Sequence, residues 1–444
     1  MRALTRSALV AALLLATPLT YAAVRPVRLD YTAATLPNGM QLVFLEDHST
    51  PIVHLQMWYH VGSKNERPGR TGFAHFFEHM MFKGSRNVEP EGHPSYVSSV
   101  GGQSNAYTNE DATVFWETVP SQYLPLVLWL EADRLGSLRI DEKAFRNERE
   151  VVKEERRMRI ENQPYGRLQE IIADQTFQVH PYKHPVIGSM KDLDAASVED
   201  VRQFFATYYV PGNCTAVLVG DFDSKQALAL ATQFLGRVPK SEAPVPRDIP
   251  REPPQTREKR VTLQADWPLP AVVVAYHITS DGHPDSYPLH LASKVLSDGE
   301  SSRIYRSLVY EKEIALAAFG GGNIIEDPNL FYAVAIVQPG HTTDEAAAAL
   351  IAELDRLRGE PITAAELQQA KNQFTRDYIV GRETDQNKAE VLGHAAVIHG
   401  DLKTADAEFD IFQSLTVADV QRVAKTYFTP ENRTVLTILP RGGQ

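Results

Sequence analysis

One segment of this chain occurs twice. Residues 198–219 read VEDVRQFFATYYVPGNCTAVLV and residues 417–438 read VADVQRVAKTYFTPENRTVLTI. At a constant offset of 219, Val198, Asp200, Val201, Thr207, Tyr208, Pro211, Asn213 and Thr215 return as Val417, Asp419, Val420, Thr426, Tyr427, Pro430, Asn432 and Thr434. Each copy runs from a polar cap (Ser197, Thr416) through an amphipathic helix and a proline turn into a β-rich run. So many identities at one offset are not a product of chance. They restrict the chain to two tandem copies of one fold, each of roughly 200 residues.

Between the copies, Pro239 to Glu258 carries prolines at 239, 244, 246, 250, 253 and 254 among charges. Such a segment cannot hold a helix or a central strand, and reads as an extended, semi-rigid linker. In the first copy, short strands at Gln41–Leu45, Val53–His60 and Thr113–Thr118 alternate with amphipathic helices. The second opens with Val261–Leu263 and Ala271–Ile278 and repeats the scheme. The expected fold is α+β: two tandem homologous domains, residues 23–238 and 259–444, each a mixed or antiparallel β-sheet with helices packed on it, joined by the linker 239–258.

Composition excludes several functions. With 43% hydrophobic and 23% charged residues the chain is neither disordered nor fibrous nor a polytopic membrane protein. A net charge of −11 disfavours nucleic acid as a partner. The single cysteine, Cys214, rules out an intramolecular disulfide and a cysteine-cluster metal site; in its apolar run it reads as a small core residue. Residues 1–22 read as a secretory signal peptide: Arg2 and Arg6, the apolar run Ala8–Ala16, then small residues with cleavage after Ala22 or Ala23. Loss of the two arginines takes the net charge to −13, and no later segment is apolar enough to span a bilayer. The expectation is an exported, periplasmic protein.

The chemistry is concentrated in the first copy. Residues 71–82 read Thr-Gly-Phe-Ala-His-Phe-Phe-Glu-His-Met-Met-Phe. On a helix His75 and His79 lie one turn apart on one face, with Glu78 beside them. Two imidazoles so placed can bind one zinc ion while a carboxylate that is not a ligand holds the attacking water. This is the inverted H-x-x-E-H signature. The alternative is a pair of core histidines, and the motif needs a third ligand from another element. The charged helix Asp141 to Asn162 offers glutamates, each of which taken alone reads as a solvated surface charge.

His75-Phe76-Phe77-Glu78-His79, followed by Asn147-Glu148-Arg149-Glu150-Val151-Val152-Lys153-Glu154-Glu155, resembles the pitrilysin/insulinase family of zinc peptidases. The likeness is strongest to its two-domain branch, which includes the catalytic subunit of the mitochondrial processing peptidase. The resemblance covers nearly the whole mature chain and implies one zinc ion per chain, held by His75, His79 and Glu155, with Glu78 as general base. Glu148 then orients a ligand from behind, and Glu154 is the runner-up as third ligand. Residues 101–108, Gly-Gly-Gln-Ser-Asn-Ala-Tyr-Thr, match the family's strand beside the zinc, whose backbone takes an extended peptide as an added strand; Asn105, Ala106 and Tyr107 are the implied substrate contacts. Without the resemblance this stretch reads equally as a glycine turn into an ordinary strand.

Other histidines have plainer readings. Pro181 and Pro185 prevent one helix through His180 and His184, which read as a loop; His54, His60 and His277 fall in strand patterns. Gly320-Gly321-Gly322 lacks the Lys-Ser/Thr of a phosphate loop and reads as a turn.

The second copy loses the motif. At an offset of 215, His290, Ser293 and Lys294 face His75, Glu78 and His79, so this half is expected to be metal-free. The resemblance implies an arginine and a tyrosine from this half, seven residues apart, gripping substrate. Beyond Ser301-Ser302-Arg303 their places hold Val309 and Leu316, with Arg306 and Tyr310 nearby but out of register. The expectation is a partner, a homologous zinc-less subunit supplying the pair in a heterodimer, or else a homodimer. The resulting function is an exported zinc endopeptidase acting on peptides or unfolded segments through zinc-activated water. The alternatives are a non-catalytic assembly subunit on the same scaffold and a zinc hydrolase of some non-peptide amide.

Overall fold

The computed structural model describes residues 26–441; the expected signal peptide, 1–22, lies outside them. One sheet comprises β1 (Thr32–Thr35), β2 (Gln41–Glu46), β3 (Ile52–Tyr59), β4 (Gln103–Thr108), β5 (Thr113–Pro120) and β6 (Cys214–Gly220), in the order β1-β2-β6-β3-β5-β4. The other comprises β7 (Lys259–Ala265), β8 (Ala271–His277), β9 (Ala315–Gly322), β10 (Leu330–Val337) and β11 (Arg433–Pro440), in the order β7-β11-β8-β10-β9. In each, the first two members of the shared core pair in parallel (β2 with β6, β7 with β11) and the rest are antiparallel. β7, β8, β9, β10 and β11 thus repeat β2, β3, β4, β5 and β6, and the molecule is a mixed α/β pair of sheets with helices.

The recurring residues have recurring jobs. Ser197 and Asp200, like Thr416 and Asp419, cap their helices reciprocally, hydroxyl to one amide and carboxylate to another. Val201 and Val420 are completely buried against their sheets. The Asn213 side chain donates to the carbonyls of Tyr208 (2.8 Å) and His60 (3.3 Å); Asn432 donates to Tyr427 (2.7 Å) and His277 (2.8 Å). Each asparagine thereby ties its helix end to the neighbouring strand end.

Both faces of both sheets are covered, so central strands such as β6 are apolar and buried throughout. On the inner face of the first sheet, Leu55, Met57, Phe115 and Leu218 pack against helices of their own half. The outer face is covered by a helix from the other half. Asp385–Val397 lays Ala389, Leu392 and Ala395 on Val43, Trp58, Val114 and Val217. The converse holds at the second sheet, where Leu168 and Ile172 of the helix Leu168–Thr176 pack on Ala271, Val273, Val334 and Leu436. The offset of 219 carries residue 172 to 391, inside the helix 385–397, so the halves exchange equivalent helices.

The linker holds no helix or strand. It is nevertheless fastened: Glu252 accepts the amides of Gln178, Val179 and His180 (2.7, 3.0 and 2.9 Å), and Arg247 donates to the His60 carbonyl (2.8 Å). One expectation fails. Gly320-Gly321-Gly322 is not a turn but the end of β9, where a Cβ on Gly320 would stand 2.2 Å from the Tyr332 carbonyl oxygen. The glycines allow close strand approach instead of a reversal.

Candidate metal centre

The helix Phe73–Met80 begins at Gly72, whose φ of 93° belongs to the left-handed region and where a Cβ would lie 2.6 Å from the Ile187 carbonyl. The buried Glu66 side chain accepts the amides of Gly72 and Ala74, both at 2.7 Å, and so satisfies two free donors at the helix N-terminus. Phe73, Phe76, Phe77 and Met80 anchor the helix in the core. A second helix, Glu142–Arg156, is capped by Asp141, which accepts the Ala144 amide (2.8 Å). Its Glu148 and Glu155, seven residues apart, share one face.

The two helices bring three donors together. Glu155 Oε2 lies 3.2 Å from His79 Nε2 and 3.6 Å from His75 Nε2, and the ring centroids are 4.9 Å apart. All three donor atoms fall within 4.8 Å of one another. Glu155 Oε2 and His75 Nδ1 are buried without a hydrogen-bond partner. Close contacts that are not hydrogen bonds, between two imidazoles and a carboxylate, fit a zinc ion, whose bonds of about 2.0–2.2 Å set donors roughly 3.3 Å apart. Glu148 Oε2 stands 3.4 Å from His79 Nδ1 and its other oxygen 2.8 Å from Lys83 Nζ, which turns His79 Nε2 toward Glu155. Glu154 is exposed and pairs with Arg157 at 2.9 Å.

Charge in the site is finely opposed. Burial, then the neighbouring His79, pulls His75 down to about 4. Burial also opposes charge on His79, but Glu148 and Glu155 outweigh it and hold that imidazole at about 9. Glu155 is held below its ordinary range chiefly by His79. Burial raises the Glu78 carboxyl, against the influence of Thr108 and His79. A carboxylate raised in this way is a stronger base than an exposed one.

A cavity of about 410 Å³ opens at this point. His75, Thr108, Glu155 and Arg159 line one side and Asn323, Asn329 and Tyr332, from the other half, line the opposite side. Arg159, whose Nη1 is 2.7 Å from Glu155 Oε1, was not among the expected site residues; its i+4 spacing from Glu155 was the available signal. Tyr332 and Asn329 reach the site only through folding and carry no local signal.

β4 is an edge strand, paired on one side only, with β5. Along it Ala106 packs toward the inner core and Tyr107 toward the outer face, where its hydroxyl donates to Glu390 of the exchanged helix. By alternation Asn105 shares the outer face, and its Oδ1 accepts the Ala106 amide at 2.9 Å. The free edge of main chain from 103 to 108 adjoins the Glu78 helix.

In the second half Lys294 is paired with Asp377 (2.7 Å) and Asp298 (3.1 Å), and Ser293 Oγ accepts the Gly322 amide (3.0 Å). His290, half-buried, is pushed down to about 4 by desolvation and then by Lys294. Val309 is partly buried, Leu316 stands exposed on β9, and Arg306 and Tyr310 pair on the surface with Glu311 and Glu300. No helix of the described residues is long and apolar enough to cross a membrane.

Residues 42–190 match the family described as Insulinase (Peptidase family M16), and residues 195–374 match the Peptidase M16 inactive domain. The zinc protease PqqE of Helicobacter pylori is 30% identical over 413 residues, spanning 92% of this chain and 93% of that protein. The mitochondrial-processing peptidase subunit beta of Saccharomyces cerevisiae is 23% identical over 401 residues, 87% and 86% of the two chains. Among solved structures, a protease from Helicobacter pylori superposes with a TM-score of 0.88 at 30% identity, covering 94% of this chain and all of that one.

Proposed function

The chain belongs to the insulinase family of zinc peptidases, peptidase family M16, and from that membership we propose that it is an exported, periplasmic zinc endopeptidase cleaving peptides or unfolded segments. Residues 23–238 form its catalytic domain and 259–444 its degenerate one. The observation that carries this reading is the convergence of His75, His79 and Glu155 within 4.8 Å, with Glu78 on the same helix.

His75, His79 and Glu155 would hold the ion, and Glu148 would fix the His79 ring. Zinc, when bound, supplies a Lewis acid that makes water a nucleophile near neutral pH. Glu78 accepts the proton of the attacking water and passes it to the leaving amine. The main chain of Asn105, Ala106 and Tyr107 on the open edge of β4 aligns an extended substrate. Strand addition reads backbone, so tolerance of many sequences follows.

The missing arginine and tyrosine at 309 and 316 favour a zinc-less homologous partner. A second reading has this chain acting alone, because Arg159 and Tyr332 already face the cavity. A peptidase assay with and without chelator, and with and without a zinc-less homologue, tests both. Chelator-sensitive cleavage stimulated by the homologue is expected; full activity alone removes the partner, and chelator-insensitive cleavage removes the zinc mechanism.

A further inference from the structure

A second trio of donors lies far from the signature in sequence. Asp281 follows β8, and His394 and His399 lie at and just past the end of the exchanged helix Asp385–Val397. Asp281 Oδ2 is 3.3 Å from His394 Nε2 and 3.1 Å from His399 Nε2. The two ring centroids are 4.9 Å apart, the same separation as His75 and His79. All three donor atoms lie within 4.8 Å.

The hydrogen bonds around His399 assign its tautomer. The Thr404 hydroxyl donates to the Asp401 carbonyl (2.7 Å), so its oxygen accepts from His399 Nδ1–H (2.8 Å). That leaves the lone pair of the neutral ring on Nε2. The His399 side chain is 6% exposed, and Nε2 has no hydrogen-bond partner although a carboxylate oxygen stands 3.1 Å away. An imidazole nitrogen and a carboxylate oxygen in such contact share a cation, either a proton in an imidazolium–carboxylate pair or a metal ion. The chain of hydroxyl and carbonyl behind Nδ1 is the support that metal-binding histidines require. Among the described residues no lysine or arginine lies within ion-pair distance of Asp281. The contrast is a third trio, His93, Glu117 and Glu131, where Arg134 already bridges the two carboxylates. That trio needs no ion. His394, 42% exposed at its side chain, gives the second trio an entry path.

We propose that Asp281, His394 and His399 form a second metal site, for a divalent ion of zinc type, that ties the loop after β8 to the end of the exchanged helix. Two imidazoles and one carboxylate suit such an ion, with water completing the shell. Its role is structural, and it is independent of the peptidase reading.

Metal content of the chelator-stripped, zinc-reconstituted and dialysed chain tests this. Two zinc ions per chain are expected in the native protein, one in His75→Ala/His79→Ala and one in His394→Ala/His399→Ala. In the His75→Ala/His79→Ala background, Zn²⁺ should raise the melting temperature by several degrees, and Co²⁺ should give tetrahedral absorption bands that Asp281→Asn abolishes. The near-isosteric Asp281→Asn serves if the double histidine variant does not fold. A folded His75→Ala/His79→Ala protein that retains no zinc and shows no Co²⁺ bands overturns the proposal. A native chain with one ion, lost only with His394 and His399, would instead overturn the first site.

Discussion

At the scale of single residues, three glutamates near the histidines divide the work. Glu78 sits on the helix of His75 and His79 but is not among the converging donors, whereas Glu155 is, and Glu154 is exposed and pairs with Arg157. Glu78→Gln should therefore retain zinc while kcat falls by about 10²–10⁴. Glu155→Gln should lose the metal, and Glu154→Gln should keep both metal and activity. Metal analysis beside peptidase kinetics checks all three, and metal loss in Glu154→Gln alone would put the ligand one residue earlier. These residues were legible in the sequence because their geometry is local. His75 and His79 need only a helical turn, and Glu148 and Glu155 only two turns of another. Tyr332 and Asn329 were illegible, since only the packing of one half on the other brings them to the cavity.

At the scale of elements, the expected strands Gln41–Leu45, Val53–His60 and Thr113–Thr118 and the helix starts after Ser197 and Thr416 match the observed ones closely, because alternation and capping boxes are written in a few adjacent residues. The destination of a helix is not so written. The apolar stripes of 168–176 and 385–397 announce burial but not which sheet they bury against, and nothing local distinguishes their own half from the other. The contact at Gly393 tests how tight that docking is. A Cβ there would stand 2.2 Å from the Trp58 indole, which is itself held by its Nε1–H donating to Gln56 Oε1 at 2.7 Å. Alanine favours a helix over glycine by about 1 kcal/mol, but overpacking a rigid core costs about 1–3 kcal/mol. Gly393→Ala should lower the melting temperature by several degrees. An increase measured by calorimetry would mean that the helix rides loosely on its sheet.

At the scale of the molecule, the halves are joined by charge as well as by helices. Lys64 Nζ lies 2.9 Å from Asp111, 2.8 Å from Glu326 and 3.0 Å from Asp327, the last two belonging to the second half. The His180 imidazole, with Lys64 behind it, holds the Asp327 carboxyl down at about 2. A carboxylate with a depressed folded pKa stabilises above its unfolded value of about 3.9 and stops doing so as pH falls through the folded one. Asp327→Asn should therefore cost about 1–2 kcal/mol near pH 7 and almost nothing at pH 2. Melting curves at the two pH values check this, and equal loss at both would assign the effect to packing. The duplication was plain in the sequence, yet the exchange of helices has a historical consequence that the repeat alone does not. A single ancestral copy of this fold would have left one sheet face bare and one helix unplaced. Two separate copies could have satisfied each other by trading helices, as a swapped dimer does. Gene fusion would then have tethered an assembly that already existed, after which one copy was free to lose its ligands. Chains cut within 239–258 and produced together should accordingly purify as one complex, while stable, separate monomers would contradict this descent.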